Sequence, residues 1–82
     1  MPVEADPRHS PPPRRIPEKL KAIRKRSGLT RDGTAKRVGA RTGAEVKAYE
    51  DGEDELLVSV LFGYANLAGC PVKNLLDDEL EV

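Results

Sequence analysis

The side chains that catalysis needs are scarce in this 82-residue chain. The single His, His9, sits in a proline-rich stretch, and the single Cys, Cys70, falls in a turn between two expected helices. A buried, inert thiol is expected there rather than a nucleophile. One Cys and one His exclude a disulfide framework and a Cys/His zinc site, which takes several protein ligands. There is no P-loop and no glycine-rich dinucleotide fingerprint. Asp77, Asp78, Glu79 and Glu81 lack the spacing of a calcium loop and read as a solubilising tail. No enzymatic activity, metal, cofactor or small-molecule substrate is expected.

Charge is what the chain has in quantity. Charged residues make up 34%, and Lys+Arg and Asp+Glu number 14 each, for a formal net charge of zero. The zero hides a division. Residues 1–50 carry 13 Lys and Arg against six Asp and Glu (+7), while residues 51–82 set Lys73 alone against eight carboxylates (−7). Such asymmetry points to a half that faces a polyanion and a half that is acidic; segregated solvated faces produce the same counts.

The elements that must position these charges follow from the punctuation. Residues 1–15 hold five of the seven prolines and one isolated Val, which makes them an extended, disordered arm ending in Arg14-Arg15. The arm has no apolar segment, so it is not a secretory signal, and no apolar run approaches the roughly 20 residues of a membrane span. A cytoplasmic protein with one domain over residues 16–80 is expected. There, Gly28, Gly39, Gly52 and Gly69 each follow a segment of helical spacing, as helix caps do. Five helices are expected at about 17–27, 30–38, 43–51, 57–68 and 72–77, with Ile16, Leu20 and Ile23 as the inward stripe of the first. In the fourth, Leu57, Val60, Leu61, Tyr64, Ala65 and Ala68 share one face, with Ser59, Gly63 and Asn66 opposite and Val58 and Phe62 at the edge. Val72, Leu75 and Leu76 point inward from the last. No segment alternates with period two, so the fold class is all-α.

Several short pieces, in order, resemble the Cro and phage-repressor (XRE-like) type of helix-turn-helix domain. They are Leu20-x-x-Ile23-Arg24, Gly28-Leu29-Thr30, Ala35-Lys36-Arg37-Val38-Gly39, Val46-x-x-Tyr49-Glu50-x-Gly52, Tyr64-Ala65-x-x-Ala68-Gly69 and Val72-x-x-Leu75-Leu76. The resemblance covers about residues 17–76 and implies a compact five-helix fold. It also implies double-stranded DNA as partner, with helix 3 in the major groove and the start of helix 2 over the phosphates. Arg31 matches a position that contacts DNA in the family, and Thr30 caps the helix end whose free N–H groups and dipole favour phosphate. Arg24, Arg41 and the arm's Arg14 and Arg15 are further phosphate candidates, while Lys36 and Arg37 read as surface charges. Glu50 is expected in an ion pair or hydrogen bond between helices.

Counting back from Val46 as the buried anchor, Gly43, Ala44, Glu45 and Lys47 line the major groove. Lys47 is the strong base-edge donor among them, and Glu45 is an acceptor for cytosine. Three departures from the family stand out. The stretch from Gly39 to Val46 is one residue longer, which leaves those positions uncertain by one. Gly33 weakens helix 2 by about 1 kcal/mol relative to Ala, and Thr34 replaces a large apolar residue. The run Asp51-Gly52-Glu53-Asp54-Glu55 sets four carboxylates where the family often faces phosphate. DNA-binding regulation of transcription as a homodimer, through Val58 and Phe62, is the leading expectation. A degenerate helix-turn-helix acting as a protein-interaction module or antitoxin is the alternative.

Overall fold

The computed structural model describes residues 14–82; of the arm expected over residues 1–15, residues 1–13 lie outside the described residues. Pro17 in the first turn and the stripe through Leu20 and Ile23 give α1, Ile16–Arg26. Thr30 opens α2, Arg31–Val38, by accepting the Gly33 N–H at 3.0 Å. Thr42 opens α3, Gly43–Glu50, through the Glu45 N–H at 3.2 Å. Gly39 closes α2 at φ 85°, a conformation that favours glycine, and its N–H returns to the Ala35 carbonyl. That closure turns the chain sharply into α3. Helices α4, Val58–Ala68, and α5, Val72–Leu76, complete an architecture that is all-α over the described residues.

One core joins the helices. Leu20 and Ile23 meet Val38, Tyr49, Val60, Tyr64 and Leu75, each contributed by the inward face of its helix. Thr34 is fully buried as well, and its hydroxyl donates to the Thr30 carbonyl at 2.9 Å, so the polar atom enters the core already paired.

Several expectations are corrected. Leu57 is the extended N-cap of α4 and is 60% exposed, because a cap residue lies outside the helical wheel; Leu56 packs against the core in its place. Gly63 does not face solvent. It lies against the carboxyl end of α2, where a Cβ would stand 2.7 Å from Val38 Cα. Leu76 ends a helix of five residues and is 44% exposed, with Leu75 taking the core position.

The acidic tail is not loose, and Arg14 and Arg15 belong to the folded unit. The Asp78 carboxylate accepts from the backbone N–H of Arg14 and of Arg15, each at 3.0 Å, at the start of α1. The Arg15 guanidinium donates to the Asp78 carbonyl at 2.7 Å and to Glu81 at 2.9 Å. Lys19 is buried beneath them, its ammonium donating to the carbonyls of Asn74 and Asp77 at 2.6 and 2.5 Å, which closes the carboxyl end of α5. Arg26 holds the Val82 carbonyl at 2.7 Å. The segment after α5 is thus strapped along α1.

Candidate nucleic-acid interface

The first turns of α2 and α3 approach closely because Gly43 has no side chain. Its N–H donates to Asp32 Oδ1 at 3.1 Å, and a Cβ would stand 3.0 Å from the Asp32 backbone nitrogen. Where these turns face α1, a cleft of about 480 Å³ opens, lined by Arg24, Thr30, Arg31, Asp32, Ala44 and Lys47, with Gly43 at its base. Three of those side chains are cationic.

Their charges are held in place by carboxylates. Arg24 donates from Nε to Glu50 Oε2 at 2.6 Å and from Nη2 to Oε1 at 3.2 Å, which ties α1 to α3 as expected of Glu50. The Glu50 side chain is 1% exposed and that of Arg24 13%. The hydrogen bond to Glu50 raises the Arg24 pKa further, so the guanidinium stays charged. Arg31 approaches the same carboxylate, its Nε 3.7 Å from Glu50 Oε1, with 43% of its side chain exposed. The two guanidiniums exceed the Glu50 carboxylate by one charge, which Asp32 in the first turn of α2 offsets. The helix dipole with its free N–H groups is therefore what stays positive at the amino end of α2. Lys47 donates to Asp51 Oδ2 at 2.6 Å; that hydrogen bond raises the lysine pKa and lowers the aspartate's.

The site residues expected from the sequence divide into two groups. Arg24, Thr30, Arg31, Gly43, Ala44 and Lys47 are brought together at the cleft, although Gly43 is buried and contributes closeness rather than surface. Arg41 and Glu45 lie elsewhere. Arg41 donates to Glu45 Oε2 at 3.0 Å, the Tyr49 hydroxyl donates to Glu45 Oε1 at 2.8 Å, and all three line a separate depression with Asp54 and Glu55. The Tyr49 and Arg41 hydrogen bonds hold the Glu45 carboxyl below its usual range. Burial, then the bond to Glu45, pushes Tyr49 up to about 12. The acidic loop is therefore divided: Asp51 meets Lys47, while Asp54 and Glu55 line the Glu45 side.

With Thr42 as its cap, α3 presents Ala44 and Lys47 as its exposed, cleft-side residues. Asp32 is the site residue that sequence reasoning missed; its place in the first turn of α2 marked a favourable position for a carboxylate but not its contact with α3. Val58 and Phe62 are 67% and 54% exposed. Among the described residues no helix is long and apolar enough to cross a membrane, and no cluster of three or more His, Cys, Asp and Glu is placed to hold a metal.

A helix-turn-helix formed by α2 and α3 within five short helices defines a repressor-like fold. The chain is similar to the P22 c2 repressor, in a crystal structure with synthetic operator 9T in the presence of Tl+. The TM-score is 0.69 at 22% identity, over 77% of this chain and 94% of that one. No family model and no curated protein matches the sequence.

Proposed function

We propose that the chain is a DNA-binding transcriptional regulator of the Cro/repressor type, with α3 in the major groove and the amino end of α2 on the phosphate backbone. The observation that supports this most is the cleft in which Arg24, Arg31 and Lys47 converge on the first turn of α2. Support also comes from the fold, shared with a repressor crystallised on operator DNA. Arg31 and the first-turn N–H groups beside Thr30 are the leading phosphate ligands. Arg24 adds charge and, through Glu50, positions Arg31. Arg41 is 89% exposed outside the cleft and serves a flanking phosphate.

In the groove, Gly43 and Ala44 permit close approach and Lys47 donates to base edges. Glu45, engaged by Tyr49 and Arg41, reaches a cytosine only by leaving those partners. A single strong donor implies weak sequence preference and steep salt dependence. The protein acts in the cytoplasm as a homodimer on two half-sites, with Val58 and Phe62 at the two-fold contact.

Fluorescence anisotropy of a labelled random duplex, titrated at two salt concentrations, tests this reading. Saturable binding that weakens steeply with salt is expected; Lys47→Ala lowers the affinity, and loss of a phosphate contact, as in Arg31→Ala, lowers the salt slope by about 1. Absence of binding at low salt by protein shown folded by circular dichroism would overturn it. The protein-interaction or antitoxin reading would then stand, favoured by the Asp51 carboxylate that already holds Lys47.

A further inference from the structure

A second concave surface shares no lining residue with the cationic cleft. It is a groove of about 310 Å³ between the start of α1, the 54–56 segment and α4, with Leu76 of α5 at its end. Ile16, Pro17, Leu56, Leu61 and Leu76 form its walls, all of them only partly buried by the fold. Asp54 and Glu55 are the charged residues that line it, and both are exposed. Leu76, at 44% exposure, leaves a large apolar side chain in water. The surface is thus apolar walls beside two carboxylates, with no cation in its lining.

We propose that this groove binds an amphipathic helix of a partner protein, one that presents leucine-sized side chains on one face flanked by Lys or Arg. Apolar anchors spaced at i, i+3 or i+4, and i+7 bury the uncovered walls, and the flanking cations meet Asp54 and Glu55. Charge selects this occupant over a second copy of the chain. A second copy packed groove to groove brings four carboxylates and no lining cation into one contact, whereas a basic helix brings the opposite charge. The proposal is independent of DNA binding, because the two surfaces are built from different residues.

The test is a methyl and amide NMR titration of the full-length protein with two synthetic helical peptides. Both carry leucine on one face; one has lysine and the other glutamate on the flanks. The lysine peptide is expected to shift the signals of Ile16, Leu56, Leu61 and Leu76 and to bind at least tenfold more tightly than the glutamate peptide. The double variant Asp54→Lys, Glu55→Lys, changed only at exposed loop positions and checked for folding by circular dichroism, is expected to reverse that preference. Equal affinity for the two peptides, no shifts up to about 1 mM peptide, or shifts confined to the Arg31 and Lys47 region would overturn the proposal. So would groove signals that move on dilution together with a monomer–dimer equilibrium in sedimentation, since a second copy is then the occupant. Contacts from residues 1–13 of the same chain to the groove methyls would overturn it too.

Discussion

Gly63 sits where α4 crosses the carboxyl end of α2, with the positions of Val38 Cα and C only 2.7 and 2.9 Å from where a Cβ would be. The obstacle is backbone, which cannot swing away as a side chain tip does. Gly63→Ala is therefore expected to destabilise by about 2 kcal/mol or more, although alanine is the better helix former by about 1 kcal/mol. Urea denaturation measures the sum, and an unchanged or higher midpoint would show that the α2–α4 crossing yields. The Arg24–Glu50 pair is decided at the same scale. Arg24→Met leaves a carboxylate that is 1% exposed with Arg31 at 3.7 Å as a weaker neighbour. A loss of about 3 kcal/mol is expected, the low end for breaking a buried pair, because Arg31 supplies part of the missing charge. A double-mutant cycle with Glu50→Gln should recover a favourable coupling between the two positions; additive effects would show that the pair contributes packing alone.

Helices α2 and α3 are eight residues each, too short to persist without caps and packing. Thr30 and Thr42 each satisfy a first-turn N–H, and each Thr→Ala change is expected to cost about 1 kcal/mol in chemical denaturation. Thr30→Ala should also weaken DNA binding, since the same turn orients Arg31; Thr42→Ala should act through the register of Lys47. At the other end of the molecule α5 has only five residues, and the Lys19 ammonium holds its last carbonyls. Lys19→Met keeps the buried stem but leaves those carbonyls unpaired, at a cost of about 2 kcal/mol. Amide exchange should locate that loss in α5 and the tail; an effect spread evenly over all five helices would mean that Lys19 serves the core instead.

Over the whole molecule the charges are arranged as two surfaces and a strap. Arg24, Arg31 and Lys47 face the cleft, Asp54 and Glu55 face the groove, and the acidic end of the chain is bound to the basic α1. The N–H groups of Arg14 and Arg15 hold the Asp78 carboxyl below its usual range, and the Arg15 guanidinium does the same to Glu81. A carboxyl whose folded pKa is depressed stabilises the fold above its unfolded value and loses that contribution as pH falls through the folded value. The melting temperature is thus expected to be level near neutrality and to fall once pH drops below the ordinary values of 4.5 and 3.8. Asp78→Asn should lower it at pH 7 and make the acid decline shallower. An equal decline in variant and parent, measured by thermal circular dichroism, would mean that the strap adds nothing to stability.

The five helices were legible to within a residue or two because their signals are local. Threonine caps, the left-handed Gly39 and Gly69, and apolar repeats at helical spacing act within a turn or two of chain. The all-α class and the helix-turn-helix followed from them, whereas the grouping of Arg24, Thr30, Arg31 and Lys47 came from the resemblance to repressor-type domains. The tertiary structure decided what depends on how helices cross. Gly43 meets Asp32 across 11 residues, Arg24 meets Glu50 across 26, and Lys19 meets α5 across 55 and 58. The resemblance pointed to an ion pair for Glu50 but not to its partner, and the other pairings have neither a period nor a motif, since each arises only where two backbones come together. The same holds for Gly63, which helical spacing set on the solvent side until α2 was laid against it. Glu45 parted from Lys47 because neighbours within one helix share a sequence but not a face, and Arg41, ahead of the Thr42 cap, pairs with Glu45.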